Sequence, residues 1–322
     1  MAMDAIGGGG GAGSGGSGRV DGSLLATSDL HVSYPENRAL VEGMRPYSDA
    51  DWLLVAGDVS ERIDDIVAVL KLLADRFAQV VWVPGNHELW TMSATGEDQL
   101  RGVQRYERLV EACREIGVLT PEDPYAVWPG PEGPVRIAPL FLLYDYTFYP
   151  PGTSSKEEGL AYAYNTGVVC NDEFRLHPDP YPSREDWCRA RVELTLRRLE
   201  ACDPNEPLVL VNHYPLVRDP TMVLRYPEFA QWCGTAATAD WHVRFPVTAM
   251  VYGHLHIPRT TWHDGVRFEE VSLGYPREWS ARSIGPVLMR EILPGVPTDG
   301  VLSRPPAQTA AQRAARRSAQ AW

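Results

Sequence analysis

A short apolar run at residues 80–83 is followed by a Pro-Gly pair and then by Asn86, His87 and Glu88. The apolar run predicts a buried strand, and the Pro-Gly pair predicts where that strand ends. A core strand that ends in this way places its polar side chains at the rim of a sheet, where open α/β sheets bind their ligands. An ordinary strand-to-helix turn could have the same sequence, so the other strands decide the interpretation.

Four other predicted strands end in polar groups of the same kind. Asp29 and His31 follow the strand Leu24–Thr27, Asp58 follows 52–56, His213 follows Leu208–Val211, and His254 and His256 follow Val247–Tyr252. Five of the eight histidines of the chain therefore lie at strand ends. A single buried histidine usually has a packing role, but five at one edge of a sheet predict a functional site.

Strand and helix patterns alternate along the chain. Helices are predicted at 35–47, 64–77, 98–116 and 183–201, further strands at 135–143 and 287–292, and a hairpin turn at 263–266. Strand-helix-strand units followed by strand pairing predict an α/β fold, a two-sheet β-sandwich flanked by helices.

Segment composition predicts the domain organisation. A disordered Gly/Ser-rich N-terminus is expected over 1–22, one domain over 23–295, and a flexible basic C-terminal tail over 296–322. Two aromatic- and Pro-rich stretches, 144–176 and 214–245, are too long for plain connections. We expect them to be loops that cover the substrate.

The overall charge and the cysteines narrow the function classes. With 30 basic against 42 acidic residues, the net charge of −12 argues against general binding to nucleic acid or to an anionic membrane. The five scattered cysteines without a CxxC pair are typical of reduced thiols. With no apolar run of membrane-spanning length and no signal-peptide pattern, a cytoplasmic location is expected.

The polar groups at the strand ends are imidazoles, carboxylates and one amide, which suit Mn²⁺, Fe or Zn²⁺. The candidate ligands are Asp29, His31, Asp58, Asn86, His213, His254 and His256. Seven ligands exceed the need of one ion and predict two adjacent ions with one shared ligand. Because only two of the seven are negatively charged, the pair of ions keeps a positive surplus. That surplus favours an anionic substrate and a bound hydroxide, as phosphoester hydrolysis requires.

The motif series resembles that of the calcineurin-like metallophosphoesterases in composition and order. The motifs are DLH (29–31), GDVSER (57–62), GNHE (85–88), NH (212–213) and GHLH (253–256). The resemblance implies an α/β/β/α sandwich in which Asp29, His31 and His256 hold one metal, Asn86, His213 and His254 hold the other, and Asp58 bridges them. It further implies that a metal-bridging hydroxide attacks phosphorus and that His87 gives a proton to the leaving oxygen. Glu88 is expected to support the turn.

Three further residues are candidates for supporting roles, and two of them have an alternative. Glu61 stands where many relatives have an Asp that orients the catalytic His, so a longer-armed orienting role is expected. Arg62 matches a phosphate-contacting Arg of the protein-phosphatase branch, but it could equally be a solvated residue at a helix start. His242 lies in the second aromatic stretch and either contacts the substrate or packs.

The stretches FLLYDYTFYP (141–150), AYNTGVVCNDEF (163–174) and DWHVRFP (240–246) are similar to a group of actinobacterial metallophosphoesterases. That group includes a hydrolase that removes 4′-phosphopantetheine from acyl carrier proteins. This closer resemblance predicts a phosphodiester between serine and pantetheine as the substrate. The Arg-rich helix at 184–198 could then bind an acidic carrier protein, or it could present a solvated face.

Other functions stay open on the sequence alone. One is a phosphodiesterase of cyclic nucleotides or other small phosphodiesters, although such relatives often have Asp where this chain has Glu88. A nuclease would need a basic surface, which the composition does not supply. A non-catalytic scaffold with the same fold would be expected to lack metal ligands, and all seven are present here.

Overall fold

The structure, a computed structural model, describes residues 22–294. The predicted disordered N-terminus and basic C-terminal tail lie outside these residues, apart from Gly22. The strands are β1 (Leu24–Thr27), β2 (Trp52–Val55), β3 (Gln79–Trp82), β4 (Val127–Trp128), β5 (Val135–Pro139), β6 (Leu208–Val211), β7 (Val247–Tyr252), β8 (Arg259–His263), β9 (Val266–Glu270) and β10 (Arg290–Leu293). The helices are α1 (Pro35–Glu42), α2 (Ile63–Ala74), α3 (Gly102–Glu115), α4 (Lys156–Asn165), α5 (Asp172–Arg175), α6 (Arg184–Glu200), α7 (Trp241–Arg244) and α8 (Pro276–Trp279).

The strands form two mixed sheets. The first has the order β10-β1-β2-β3 and the second the order β4-β5-β6-β7-β9-β8. In the first sheet β1, β2 and β3 run parallel, and in the second β5, β6, β7 and β9 run parallel. Parallel strands end at the same edge of their sheet, so the polar groups that follow β1, β2, β3, β6 and β7 are gathered at one side.

The core lies in three layers because the strands alternate their side chains. Leu24 and Ala26 of β1 belong to a cluster that also holds Val209 and Val251 of the second sheet, so these residues fill the space between the sheets. Leu25 of β1 packs with the residues of α2 and α3 on the outer side. Strands that are buried on both faces have continuous apolar sequences, and for this reason the sequence alone predicts these strands. The predicted two-sheet sandwich with flanking helices is confirmed.

One helix and one strand end earlier in the structure than the sequence predicts. The first helix ends at Glu42 and not at residue 47, because Gly43 is its C-cap and Pro46 follows. The strand predicted over 135–143 ends at Pro139. The next residue still lies beside β6, because the backbone N–H of Leu140 donates a hydrogen bond to the carbonyl of Val211.

The two long aromatic stretches are folded segments. We call residues 144–176 and 214–245 the covering segments after the role expected of them, and that role stays a prediction. The first contains α4 and α5, and the second contains three short 3₁₀-helices and α7. They contact each other, since Gln231 donates to the carbonyl of Gly159 and the Trp232 indole donates to Glu173.

Among residues 22–294, no helix combines the length and the apolar composition that crossing a membrane requires. The five cysteines are free thiols, as their scattered positions predicted.

Candidate metal centre

The first group of predicted ligands comes from β1 and β7. His256 Nε2 lies 3.0 Å from Asp29 Oδ1 and 3.2 Å from His31 Nε2. Ligand atoms of these three residues all lie within 4.8 Å of one another, which is close enough for one ion. The trio is the one that the motif resemblance implies for the first metal.

The second group joins β2, β3, β6 and β7. His213 Nε2 lies 3.1 Å from Asn86 Oδ1, 3.2 Å from His254 Nδ1 and 3.5 Å from Asp58 Oδ2. Asp58, His213 and His254 also satisfy the 4.8 Å limit. The structure thus brings together the four residues predicted around the second metal.

Asp58 lies between the two groups. Its Oδ2 is 3.5 Å from His213 Nε2 of the second group and 4.0 Å from His31 Nε2 of the first. Its Oδ1 accepts a hydrogen bond from the backbone N–H of His87. One carboxylate oxygen therefore faces both groups, while the other fixes the carboxylate to the next strand end.

Unusual backbone conformations hold most of these ligands. Five of the seven have a positive φ: Asp29 (54°), His31 (41°), Asp58 (57°), His254 (69°) and His256 (56°). For residues with a Cβ this region costs about 1–2 kcal/mol each. Such strain persists only where surrounding contacts over-determine it, and it concentrates at functional sites.

Glycines beside the ligands permit this crowding. A Cβ on Gly85 would lie 2.1 Å from Asp58 Oδ1, and one on Gly253 would lie 2.3 Å from Asp29 Oδ2. A Cβ on Gly57 would lie 2.9 Å from His213 Nδ1. Gly85 therefore leaves room for the Asp58 carboxylate, Gly57 for the backbone of Gly85, and Gly253 for the side chains of Ser28 and Asp29.

Several residues that orient the ligands were not predicted from the sequence. Glu278 Oε2 lies 2.7 Å from His256 Nδ1, and Ser272 Oγ donates to Asp29 Oδ2 at 2.7 Å. His213 Nδ1 lies 2.8 Å from the carbonyl oxygen of Ala56. Such partners fix the ring that faces a metal. They come from distant parts of the chain and carry no local motif.

Glu88 supports the turn, as expected. Its buried carboxylate accepts hydrogen bonds from the backbone N–H groups of Asp58, Val59 and Gly85 at 2.7–2.9 Å. It therefore ties the end of β2 to the end of β3 and holds Asp58 in place.

His87 is held on several sides. Its Nδ1 lies 2.9 Å from Glu61 Oε1, and its ring stacks on Trp90 with centroids 3.7 Å apart. Glu61 in turn accepts a hydrogen bond from Ser33. Burial alone would raise the pKa of Glu61, but the bonds to His87 and Ser33 outweigh it and lower that pKa from 4.5 to about 2. The geometry matches the orienting contact expected for Glu61.

Burial and charge set the protonation of the ligands. Burial lowers the pKa of His31, His213 and His254 and so favours the neutral form of these imidazoles. Burial also lowers the pKa of His256, but Asp29 and Glu278 outweigh it and raise that pKa to about 10. Burial, with the carboxylates of Glu88 and Asp29, raises the pKa of Asp58 well above its ordinary value.

The protonation pattern fits a cation in the second group. Neutral His213 uses Nδ1–H to donate to Ala56, so its Nε2 is an acceptor. Asn86 donates its amide to Asp172, so its Oδ1 is an acceptor too. These two acceptors face each other at 3.1 Å and cannot hydrogen-bond. A metal ion between them would satisfy both, so the residues present fit a bound metal.

Arg62 and His242 stand apart from the two groups. The Arg62 side chain is 60% exposed and lies 3.9 Å from Asp65, where α2 begins. His242 is buried, and its Nε2 lies 3.1 Å from Asp264. His242 precedes β7 and His254 follows it. The six residues of β7 span about 20 Å, so the two histidines lie at opposite ends of this strand. The structure does not bring His242 to the ligands, so a substrate contact there stays a prediction.

The Arg-rich helix α6 does not present five free arginines. Arg184 bonds to Glu173 and to the carbonyl of Asp172. Arg191 and Arg198 also bond inward, to the carbonyls of Phe141 and Pro121. These three arginines therefore help to hold the fold together, and carrier-protein binding by this helix stays a prediction.

Known proteins resemble this chain in sequence and in structure. The family model described as calcineurin-like phosphoesterase matches residues 22–258. The acyl-carrier-protein phosphodiesterase PptH of Mycobacterium tuberculosis is 56% identical over 274 residues, which cover 84% of this chain and 83% of that protein. The crystal structure of phosphopantetheinyl hydrolase (PptH) from the same organism matches with a TM-score of 0.83 and 54% identity, and covers 86% of this chain and 97% of that chain.

Proposed function

The chain belongs to the calcineurin-like phosphoesterase family and hydrolyses phosphoester bonds, and from that premise we propose that it removes 4′-phosphopantetheine from acyl carrier proteins. The observation that carries this proposal is the 56% identity to a protein named as an acyl-carrier-protein phosphodiesterase, which extends over 84% of the chain. The substrate bond would be the phosphodiester between a serine and pantetheine.

We assign the two ligand groups to two metal ions. Asp29, His31 and His256 would hold one ion, Asn86, His213 and His254 the other, and Asp58 would be shared; the contacts above support this assignment. When bound, the two ions supply the water-derived nucleophile and neutralise the charge of the phosphoester. The mixed imidazole, carboxylate and amide ligands suit Mn²⁺ or Fe, with Zn²⁺ also possible.

We assign proton delivery to His87. Hydrolysis breaks the bond between phosphorus and the serine oxygen, and that oxygen must gain a proton because an alkoxide is a poor leaving group. Ionised Glu61 accepts the Nδ1–H of His87, which leaves Nε2 to carry the transferred proton. Nε2 lies 3.8 Å from Asp58 Oδ2, on the side of the ligand groups.

The proposal is tested by incubating holo carrier protein with the enzyme and Mn²⁺ and measuring the carrier mass. We expect release of 4′-phosphopantetheine, with the corresponding loss of mass and an unmodified serine left in the carrier, and no change when Asp58→Ala is used as the matched control. An unchanged carrier mass with the wild-type enzyme, under conditions where it cleaves bis(p-nitrophenyl) phosphate, would overturn the substrate assignment. Turnover of cyclic nucleotides in the same assay would then favour the small-phosphodiester alternative.

A further inference from the structure

Asp172 lies behind the second ligand group, at the start of α5 in the first covering segment. Its side chain is fully buried. One oxygen, Oδ1, accepts hydrogen bonds from the amide nitrogen of Asn86 at 2.9 Å and from the indole nitrogen of Trp90 at 2.7 Å. A single carboxylate oxygen therefore contacts two residues of the turn that follows β3.

The contact to Asn86 decides which end of its amide faces His213. A carboxylate accepts hydrogen bonds, so it must meet the NH₂ end of the carboxamide. The oxygen is then left on the opposite side, where Oδ1 lies 3.1 Å from His213 Nε2. Without Asp172 the amide could rotate by 180° and present its NH₂ group to the ion, and an NH₂ group of this kind does not bind a metal.

Asp172 also adds charge to this group. Among Asp58, Asn86, His213 and His254, only Asp58 can be negatively charged. A buried carboxylate one hydrogen bond behind Asn86 increases the electron density on its oxygen and favours a cation there.

The contact to Trp90 reaches the proposed proton donor. The Trp90 ring is buried and stacks on the His87 ring, with centroids 3.7 Å apart and planes at 29°. The indole N–H bond to Asp172 fixes the position of this ring, and the ring in turn covers one face of His87.

The surrounding segment holds Asp172 firmly. Arg184 donates to the backbone carbonyl of Asp172 at 2.6 Å and to the carbonyl of Leu176 at 2.9 Å. The backbone N–H of Thr91 donates a hydrogen bond to the carbonyl of Arg175, and Trp90 forms an antiparallel β-bridge with Leu176. The end of the covering segment is thus attached directly to the chain that follows His87.

We propose that Asp172 is a positioning residue, which orients the metal ligand Asn86 and the Trp90 ring that covers His87. This inference rests on the proposed function, in which Asn86 binds a metal and His87 moves a proton. Through Asp172, the first covering segment completes the surroundings of the metal centre.

The first test titrates Mn²⁺ into the metal-free full-length protein by calorimetry. Asp172→Ala should weaken the affinity of one of the two sites about 10- to 100-fold. Asp172→Asn keeps an oxygen acceptor and should restore most of that affinity. Asp145→Ala is the matched control, because Asp145 lies in the same segment and its side chain accepts hydrogen bonds from Thr147 and Thr235, which are not predicted ligands. Wild-type affinity in Asp172→Ala, or an equal loss in Asp145→Ala, overturns the inference.

A second variant separates the two contacts of Asp172. Trp90→Phe keeps a ring on His87 but loses the N–H donor, so Mn²⁺ affinity should stay within about twofold of wild type. The pH profile of kcat should shift by roughly half a unit, because the environment of His87 changes. A profile that superimposes on that of the wild type would overturn the Trp90 part of the inference.

Asn86→Ala distinguishes this inference from the proposed function. If Asn86→Ala binds two Mn²⁺ ions as tightly as wild type, Asn86 is not a ligand and the proposed metal site fails. If Asn86→Ala loses an ion while Asp172→Ala retains both, only the positioning role of Asp172 fails.

Discussion

The rim of the two sheets, which is the edge where the seven predicted ligands follow β1, β2, β3, β6 and β7, and the covering segments contribute to the same site in different ways. At the rim, each ligand follows its strand within a few residues, so β1 supplies Asp29 and His31 and β2 supplies Asp58. In the covering segments, Asp172 reaches Asn86 across 86 residues of sequence. The rim therefore supplies the groups that would meet metals and phosphorus, and the first covering segment holds one of them, Asn86, through Asp172.

The two regions also differ in backbone strain. The rim holds five ligands at positive φ, whereas Tyr146 is the one such non-glycine residue that the structure records in the covering segments. Strain at the rim is stabilised by contacts such as those of Glu88 with the backbone of Asp58 and Val59. We infer that the rim tolerates substitution poorly and that the covering segments tolerate it except at points of attachment.

The largest expected effect tests whether a rim carboxylate differs in kind from a segment carboxylate. Asp58→Ala should remove both metals and lower kcat/KM by at least about 10³-fold, because one oxygen faces both ligand groups. Asp145→Ala should leave both metals bound. Metal content by mass spectrometry and turnover of bis(p-nitrophenyl) phosphate measure this. An Asp58→Ala enzyme that retains activity contradicts the shared-ligand role.

Glycine substitutions extend the comparison to the backbone. Gly85→Ala would place a Cβ 2.1 Å from Asp58 Oδ1, so Asp58 must move, and activity should fall about 100-fold. Gly167 in the covering segment has φ +79° and no heavy atom within 4 Å of an added Cβ. Gly167→Ala should cost about 1–2 kcal/mol of unfolding free energy and leave kcat unchanged. Equal kcat losses in the two variants would remove the distinction between the regions.

The sequence predicted the rim because its signals are local. The bounds of β6 and β7 agree with the predictions, and Ser183 caps α6, one residue before the helix begins. The roles of Asp172 and Ser272 could not be predicted, because Asp172 is 86 residues from Asn86 and Ser272 is 243 residues from Asp29. Positive φ values at ligands are also invisible to local propensity, since tertiary contacts impose them.

A smaller effect tests the support of His87 at the rim through the pH dependence of stability. The pKa of Glu61 is lowered from 4.5 to about 2 in the folded state. A depressed carboxyl pKa stabilises the fold fully above pH 4.5, and this contribution is lost as the pH falls towards 2. The difference in unfolding free energy between wild type and Glu61→Gln, from urea titrations, should be constant above about pH 5 and narrow below 4.5. A difference that stays constant to pH 3 would contradict the lowered pKa.

The smallest expected effect tests whether the exposed side chain of Arg62, next to Glu61, belongs to the site at the rim. Arg62 follows Glu61 and is 60% exposed, and Arg189 on α6 is 63% exposed, so the two arginines are matched in accessibility. If Arg62 contacts the phosphate, Arg62→Ala should raise KM for a phosphodiester about 3- to 10-fold with kcat nearly unchanged, because such a contact binds substrate and transition state alike. Arg189→Ala should leave both constants unchanged, since an exposed ion pair such as that with Asp186 contributes little. Steady-state kinetics with bis(p-nitrophenyl) phosphate measure both. If the two variants behave alike, Arg62 is a solvated residue at the start of α2 and the rim ends at Glu61.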